Sequence, residues 1–286
     1  MSCVTARGVR RTIAGRDALA AVDLTIDEGR VVGIIGPNGA GKTTLLQAMV
    51  GLVPVEGELR VLARDPWRDR PALLHQVSYV ADVSIMPRWL RVSSAVDYYA
   101  GVHPAFDRSV TDELLARADI EPHARVGALS KGQAAQVQLS LAMGVDARLL
   151  VLDEPTLGLD ILYRKRFFDL LLTRVAEHRQ TVVIATHDID EIQHVLTDLV
   201  FMAAGRIVFR CTTEEYEQRF VEVHVHPEHV EIARAMGPMH ERSALVGRLF
   251  IYDNGDRARL SLLGDLRVPS VATLFTAVMG DRGALA

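Results

Sequence analysis

Gly36-Pro37-Asn38-Gly39-Ala40-Gly41-Lys42-Thr43-Thr44 is the most informative stretch of this chain. It fits G-x-x-x-x-G-K-[ST], the phosphate-binding loop. The apolar run Val31-Val32-Gly33-Ile34-Ile35 precedes it and reads as a buried strand. Leu45, Leu46, Ala48, Met49 and Val50 follow and read as a helix that ends at Gly51. The chemistry needs that order of strand, loop and helix. Glycines let the backbone curl so that successive N–H groups face inward, and the helix N-terminus adds about half a positive charge. Lys42 reaches the β- and γ-phosphates of a nucleotide, and Thr43 Oγ1 is placed to ligate Mg²⁺.

Composition bounds the rest. The chain has 286 residues and is 49% hydrophobic, enough for one large domain or two smaller ones. A net charge of −4 gives no sign of general nucleic-acid affinity. The two cysteines, Cys3 and Cys211, form no motif and fit a reducing compartment. No run reaches the ~18–20 apolar residues that cross a bilayer. Arg7, Arg10, Arg11 and Arg16 stand among small residues without the apolar core of a signal peptide. The expectation is a cytosolic protein whose membrane role, if any, comes through a partner.

Residues 1–30 read as short strands joined by turns, with alternation over Ala20–Ile26 and a turn at Asp27-Glu28-Gly29. Glu58–Leu62 alternates again, and Val77–Val80 is a short strand that ends at Ala81-Asp82. Residues 83–128 change character. Pro87, Trp89, Tyr98, Tyr99, Pro104 and Pro122 stand between amphipathic pieces such as Thr111–Asp119, which reads as a helical insertion that runs on to about residue 145. Ser130 and Gln133 have capping-box spacing and open a helix. Leu149–Leu152 is a buried strand running into Asp153-Glu154. A helix covers Ile161–His178, and Thr181–Thr186 is a buried strand ending at His187. Phe201–Phe209 is a hairpin around Ala204-Gly205.

Four apolar runs thus end in the loop, Asp82, Asp153-Glu154 and His187. If the strands lie side by side and parallel, these features converge, because ligands bind beyond the carboxyl ends of such strands. An acid after an apolar strand, downstream of a phosphate loop, is the usual second holder of Mg²⁺, which points to Asp153. Glu154 is a base candidate one residue on. In an extended chain the two carboxylates face opposite sides and can take different roles.

With these motifs in view, the chain resembles the ATP-binding subunits of ABC transporters over about residues 4–210. The resemblance rests on the loop, on Leu129-Ser130-Lys131-Gly132-Gln133, on Leu149–Thr156 and on Thr186-His187-Asp188. It implies an α/β P-loop ATPase with an N-terminal β subdomain and a helical insertion, in a domain of residues 1–211. It implies ATP and Mg²⁺ as cofactors, a head-to-tail dimer with itself or a related subunit, and transmembrane permease partners. Each loop would face the other chain's Ser130, Gly132 and Gln133. Glu154 would polarise water, His187 would contact the γ-phosphate, and Asp160 would lie at the dimer interface. The insertion would meet the permease on the inner face of the membrane, with no nucleic acid involved.

Several positions depart from the family pattern. Lys131 replaces the first glycine of LSGGQ, which is tolerable if Ser130 and Gly132 make the contacts. Leu157 replaces the usual serine of its loop. Ile13 falls where an aromatic side chain usually stacks on adenine. Asp82 replaces the usual glutamine, as in a branch of small bacterial ABC ATPases. It is either a water-bridged Mg²⁺ contact or a solvated loop carboxylate. Two other functions compete with transport: a soluble ABC ATPase acting on ribosomes or DNA, and a non-catalytic ATP switch. One phosphate loop and no heptad run disfavour the first, and intact Lys42, Asp153, Glu154 and His187 disfavour the second.

Residues 212–286 lie outside the resemblance and read as a small α+β appendage. Phe220–His226, Leu245–Ile251 and Arg257–Leu262 are expected strands, Asn254-Gly255 a turn, and Pro269–Met279 a helix. His224, His226 and His229 lack the further ligands of a tetrahedral metal site, so an exposed strand with polar alternation is the expectation.

Overall fold

The computed structural model describes residues 1–82 and 86–283; residues 83–85, where the helical insertion is expected to begin, lie outside them. The chain divides into two compact units. One holds Met1–His187 and Met202–Ile207, the other Asp188–Phe201 and Val208 onward.

The first unit opens with β1 (Ser2–Ile13) and β2 (Arg16–Asp27). These are not short strands. They are two twelve-residue strands in one antiparallel hairpin, turned at Ala14-Gly15 where both residues have positive φ. Alternation in β2 buries Val22, Leu24 and Ile26 and exposes Asp23, Thr25 and Asp27. The next elements are β3 (Val31–Ile35), α1 (Lys42–Met49), β4 (Glu56–Val61), α2 (Arg70–Leu74) and β5 (Val77–Val80). β4 pairs with β1 and completes a three-stranded sheet. Three helices follow: α3 (Val92–Val102), α4 (Arg108–Arg117) and α5 (Lys131–Gly144). Val92, Val96, Leu115, Val137 and Leu141 form their shared apolar cluster. α4 and α5 approach closely at Gly144, where a Cβ would stand 2.1 Å from Thr111 Oγ1.

β6 (Leu149–Asp153), α6 (Ile161–His178) and β7 (Thr181–Thr186) complete the core. β5, β6, β7 and β3 lie side by side in that order, and all three pairings are parallel. β3, β6 and β7 are buried at every position, which is the mark of a parallel sheet covered on both faces. Their ends are in step: Ile35 stands opposite Thr186, Asp153 opposite Ala185, and Val80 opposite Leu152. β8 (Asp198–Ala203) and β9 (Arg206–Thr212) form the expected hairpin around Ala204-Gly205 and contribute residues to both units.

In the second unit, α7 (Thr213–Arg219) starts at a Thr212/Glu215 capping box that the sequence reading passed over. It leads into β10 (Phe220–Val225), α8 (Val230–Ala235), β11 (His240–Ser243), β12 (Arg248–Asp253), α9 (Arg257–Leu260), β13 (Gly264–Arg267) and α10 (Val271–Gly283). The sheet order is β11-β12-β10-β13, all antiparallel, so β10 to β13 form a split βαβ with the order β-α-β-β-α-β. Val221, Val223, Phe250, Tyr252 and Leu260 fill its core, and the Tyr252 hydroxyl donates to Ala233 O at 2.7 Å.

Two expectations fail here. The run from Arg257 is a helical turn rather than a strand, because the Asp256 carboxylate accepts from Ala258 N and Arg259 N and caps it. β10 is not an exposed strand either. It is central in the sheet, and Glu222 is fully buried, ion-paired with Arg267 and 3.5 Å from Arg242. The histidines serve loops: His224 Nε2 bonds Val246 O at 2.6 Å and His229 Nδ1 bonds Leu263 O at 3.4 Å.

Candidate nucleotide site

Beyond the ends of the parallel strands, the loop after β3 curls back on itself. Gly39 and Gly41 adopt φ of 81° and 101°, and a Cβ on Gly41 would stand 2.3 Å from Ala18 O. Gly36 is as constrained, since its Cβ would meet Met202 O at 2.3 Å. These approaches exclude any side chain and leave the loop's N–H groups to line a concave surface. A pocket of about 280 Å³ opens there, lined by Pro37–Thr44 together with Ala18, Asp82 and Glu154.

Lys42 is buried, and its ammonium donates to Gly36 O at 2.7 Å and Pro37 O at 3.4 Å, with Glu154 Oε1 at 3.6 Å. Those carbonyls are weak holders for a full charge, so a phosphate competes readily for it. Asp153 ends β6 with its carboxylate fully buried and neither oxygen hydrogen-bonded. Burial raises its pKa to about 6, opposed in part by the Thr43 hydroxyl and reinforced by Asp82 and Glu154. A buried carboxylate with no close hydrogen-bond partner among the described residues, near a threonine hydroxyl and below a phosphate cradle, fits a hard divalent cation.

Glu154 is held on several sides. Thr186 Oγ1 donates to Oε2 at 3.0 Å, His187 N reaches Oε2 at 3.4 Å, and His187 Nδ1 lies 2.9 Å from Oε1. Its separation from Asp153 does not come from an extended chain, as the sequence reading expects. Glu154 has φ 47°, so the chain leaves the strand in a left-handed turn and sends this side chain into the pocket toward His187.

Ser130 caps α5 in a complete capping box, with Gln133 N donating to Ser130 Oγ and Ser130 N donating to Gln133 Oε1, both at 3.1 Å. A Cβ on Gly132 would stand 2.7 Å from Gly158 O, which explains a glycine at 132 and a free choice at the exposed Lys131. Asp160 caps α6 through Tyr163 N at 2.9 Å. Asp82 is exposed on the pocket rim. Ile13 ends β1 with its side chain exposed and does not line the pocket. Ala18, Gly158 and Gln138, whose amide donates to Ala81 O at 3.1 Å, escaped the sequence reading. Only the Ala18-Gly41 approach had a local signal, the glycine itself.

Comparison with known proteins places the chain. The ABC transporter family matches residues 19–157. An ABC transporter ATP-binding protein of Streptomyces avermitilis is 38% identical over 224 residues; the match covers 75% of this chain and 38% of that protein's length. An aliphatic sulfonates import ATP-binding protein of Frankia alni is 34% identical, covering 75% of this chain and 83% of its own. Among solved structures, the ATP-binding subunit of an ABC transporter superposes with a TM-score of 0.69 at 20% identity, over 75% of this chain and 92% of that one. A dimeric ATP-binding cassette bound to ADP and phosphate superposes with a TM-score of 0.65 at 23% identity, over 73% and 98%. The last two likenesses are of fold.

Proposed function

The chain belongs to the ABC transporter ATP-binding proteins, and on that premise we propose that two such subunits close head to tail over two Mg·ATP and reopen on hydrolysis to drive a permease. Its activity, ATP binding and hydrolysis for transport, is that of the family. The observation that carries the mechanism is the convergence of the loop, Asp153, Glu154 and His187 at one end of four parallel strands in step. Lys42 and the loop N–H groups take the β- and γ-phosphates. Thr43 and Asp153 would hold Mg²⁺, with Asp82 nearby on the rim, and the ion would supply charge neutralisation for the phosphates. Glu154 orients and deprotonates water, and His187 turns from Glu154 toward the γ-phosphate. Pro37, Asn38 and Thr44 complete the cradle. Ile13 offers an apolar surface to adenine.

In the dimer, Ser130, Gly132 and Gln133 of one chain meet the γ-phosphate bound by the other, at the positive end of α5. Asp160 lies at that interface, flanked by the exposed apolar side chains Leu157, Ile161 and Leu162. Ser130→Ala is expected to cost about 1 kcal/mol of stability as a lost cap. It leaves monomer ATP affinity unchanged while ATP-dependent dimerisation and hydrolysis fall. Equal loss of nucleotide affinity in a monomer titration would refute the role in trans.

The permease docks on a groove of about 670 Å³ lined in part by Leu52, Leu74, Tyr79, Ala81, Tyr98 and Val102. Tyr98 is 65% exposed and Val102 54%, which suits an apolar helix from a cytoplasmic loop of a membrane protein. Tyr79 and Ala81 line this groove while Asp82 lines the nucleotide pocket, so one short segment serves both. None of the helices, among the described residues, is long and apolar enough to cross a membrane. The protein then works on the cytoplasmic face, with residues 1–211 as ATPase domain and 212–286 as an accessory domain. Tyr98→Glu with Val102→Glu, both at exposed positions, is expected to abolish co-purification of membrane proteins from the native host while ATP binding persists. Undiminished co-purification would move the docking site elsewhere.

A further inference from the structure

We propose that a cavity between α4, α5 and α6 binds a free single-chain amphipathic anion, with its head group on Arg174 and Arg166 and its tail along Leu139, Met143, Phe167 and Leu170. The cavity has a volume of about 310 Å³ and lies apart from the nucleotide pocket and the groove described above. That size is at the lower end of the ~300–1,000 Å³ range of small-molecule sites. That volume suits a single short hydrocarbon chain. Leu139 and Phe167 are buried in its floor.

The charges at the rim are unbalanced. Arg117 is neutralised by its ion pair with Glu113. Arg166 makes no hydrogen bond or ion pair among the described residues. Arg174 is half-buried, and its one hydrogen bond among the described residues runs from Nη1 to Val145 O at 3.3 Å, which leaves most of its five donors unused there. Asp107 and Asp146 attract it only at a distance. Asp107 is committed to capping α4 through Ser109, and Asp146 lies 3.9 Å from His178 Nδ1. Among the lining residues, the unpaired guanidinia of Arg166 and Arg174 therefore face a single unpaired carboxylate, Glu177. Burial pushes the Arg174 pKa down from its ordinary value, and an anion in the cavity would reverse that. An apolar floor beneath under-bonded guanidinia matches a hydrocarbon tail with one anionic head. α5 starts at the Ser130 cap and α6 at the Asp160 cap, so a bound ligand would lie against the two helices that carry these motifs.

The test uses the full chain without nucleotide. Sodium decanoate is titrated by calorimetry beside decyltrimethylammonium, which has the same tail and opposite charge, and beside phosphatidylglycerol vesicles as a bilayer source. The expected result is one decanoate per chain, no binding of the cation, no retention by vesicles, and no competition by ATP. Arg174→Gln should weaken binding about tenfold or more. Arg166→Gln, at an exposed position that leaves the fold intact, should weaken it several-fold. Equal affinity for the two amphipaths, or for decanoate in wild type and both variants, overturns the proposal. So does displacement of decanoate by ATP, or binding only to vesicles.

Discussion

Glu154→Gln is expected to lower the turnover rate by about 10²–10⁴-fold while the protein still binds ATP. The substitution keeps the size of the side chain and one of its oxygens. It therefore keeps an acceptor for Thr186 Oγ1, which now donates to Oε2 at 3.0 Å. What it removes is the carboxylate, the group able to take a proton from water. The phosphate cradle is untouched, because Lys42 and Asp153 hold their positions through Gly36 O and through burial. Closure over ATP then proceeds without the step that reopens the dimer. Phosphate release should fall to near background, and light scattering should detect a dimer that persists with ATP and disperses with ADP. A variant that hydrolyses at the wild-type rate would remove Glu154 from the mechanism and leave Asp82 as the remaining pocket carboxylate outside the metal pair. A variant that fails to bind ATP would instead mean that the ring of contacts from Thr186 and His187 needs a charged acceptor to form.

Much of this site was legible before the structure because its signals are local. A strand, a glycine-rich turn and a helix start are read from consecutive residues. So is the capping box of Ser130 and Gln133, whose two hydrogen bonds span three positions. Helix α6 has the bounds expected of it, Ile161–His178. That β5, β6, β7 and β3 lie side by side and parallel is only a condition of the sequence reading, which rests on the polar residue that ends each run; the structure meets that condition, while the order of the strands has no local signal. What escaped depends on contacts distant in sequence or on backbone choices with no local signal. Gly132 must be glycine because of Gly158 O, twenty-six positions away. The φ of 47° at Glu154 is not written in its side chain, since glutamate is an unusual residue for that region. Glu222 sits among apolar neighbours that alternate like a surface strand, and only its pairing with Arg267 and Arg242 permits full burial. The turn from Arg257 was misread because Arg-Ala-Arg-Leu alternates as a strand would, and the deciding residue, Asp256, acts from outside the run.

Asp153→Asn should stabilise the nucleotide-free, metal-free protein at neutral pH while abolishing Mg²⁺-dependent hydrolysis. Replacing a metal ligand commonly loses activity; the gain in stability is the informative half. The Asp153 carboxyl has an ordinary pKa of 3.8 and is raised to about 6 in the folded chain, first by burial and then by Asp82 and Glu154. A carboxyl raised on folding binds its proton more tightly in the native state than in the unfolded one. Between pH 3.8 and about 6 the native state therefore holds more protons, and stability falls as pH rises through that window. Above it the full cost is present, about 3 kcal/mol for that gap. Asparagine removes the buried charge, although its amide needs partners of its own, which returns about 1–3 kcal/mol. A net gain of about 1 kcal/mol corresponds to a melting temperature higher by about 2–4 °C at pH 7.5 in chelator. Near pH 4, where Asp153 is protonated as well, the charge cost is almost gone and the order should reverse, with the variant less stable by about 1–3 kcal/mol, the cost of its amide. Added Mg·ATP should then raise the melting temperature of the wild type and leave the variant little changed, since the charge that made the metal-free site unstable is the one that binds the ion. A variant less stable than wild type at pH 7.5 and equally responsive to Mg·ATP would show that Asp153 is a structural carboxylate, and the metal would have to be sought at Thr43 and Asp82 alone.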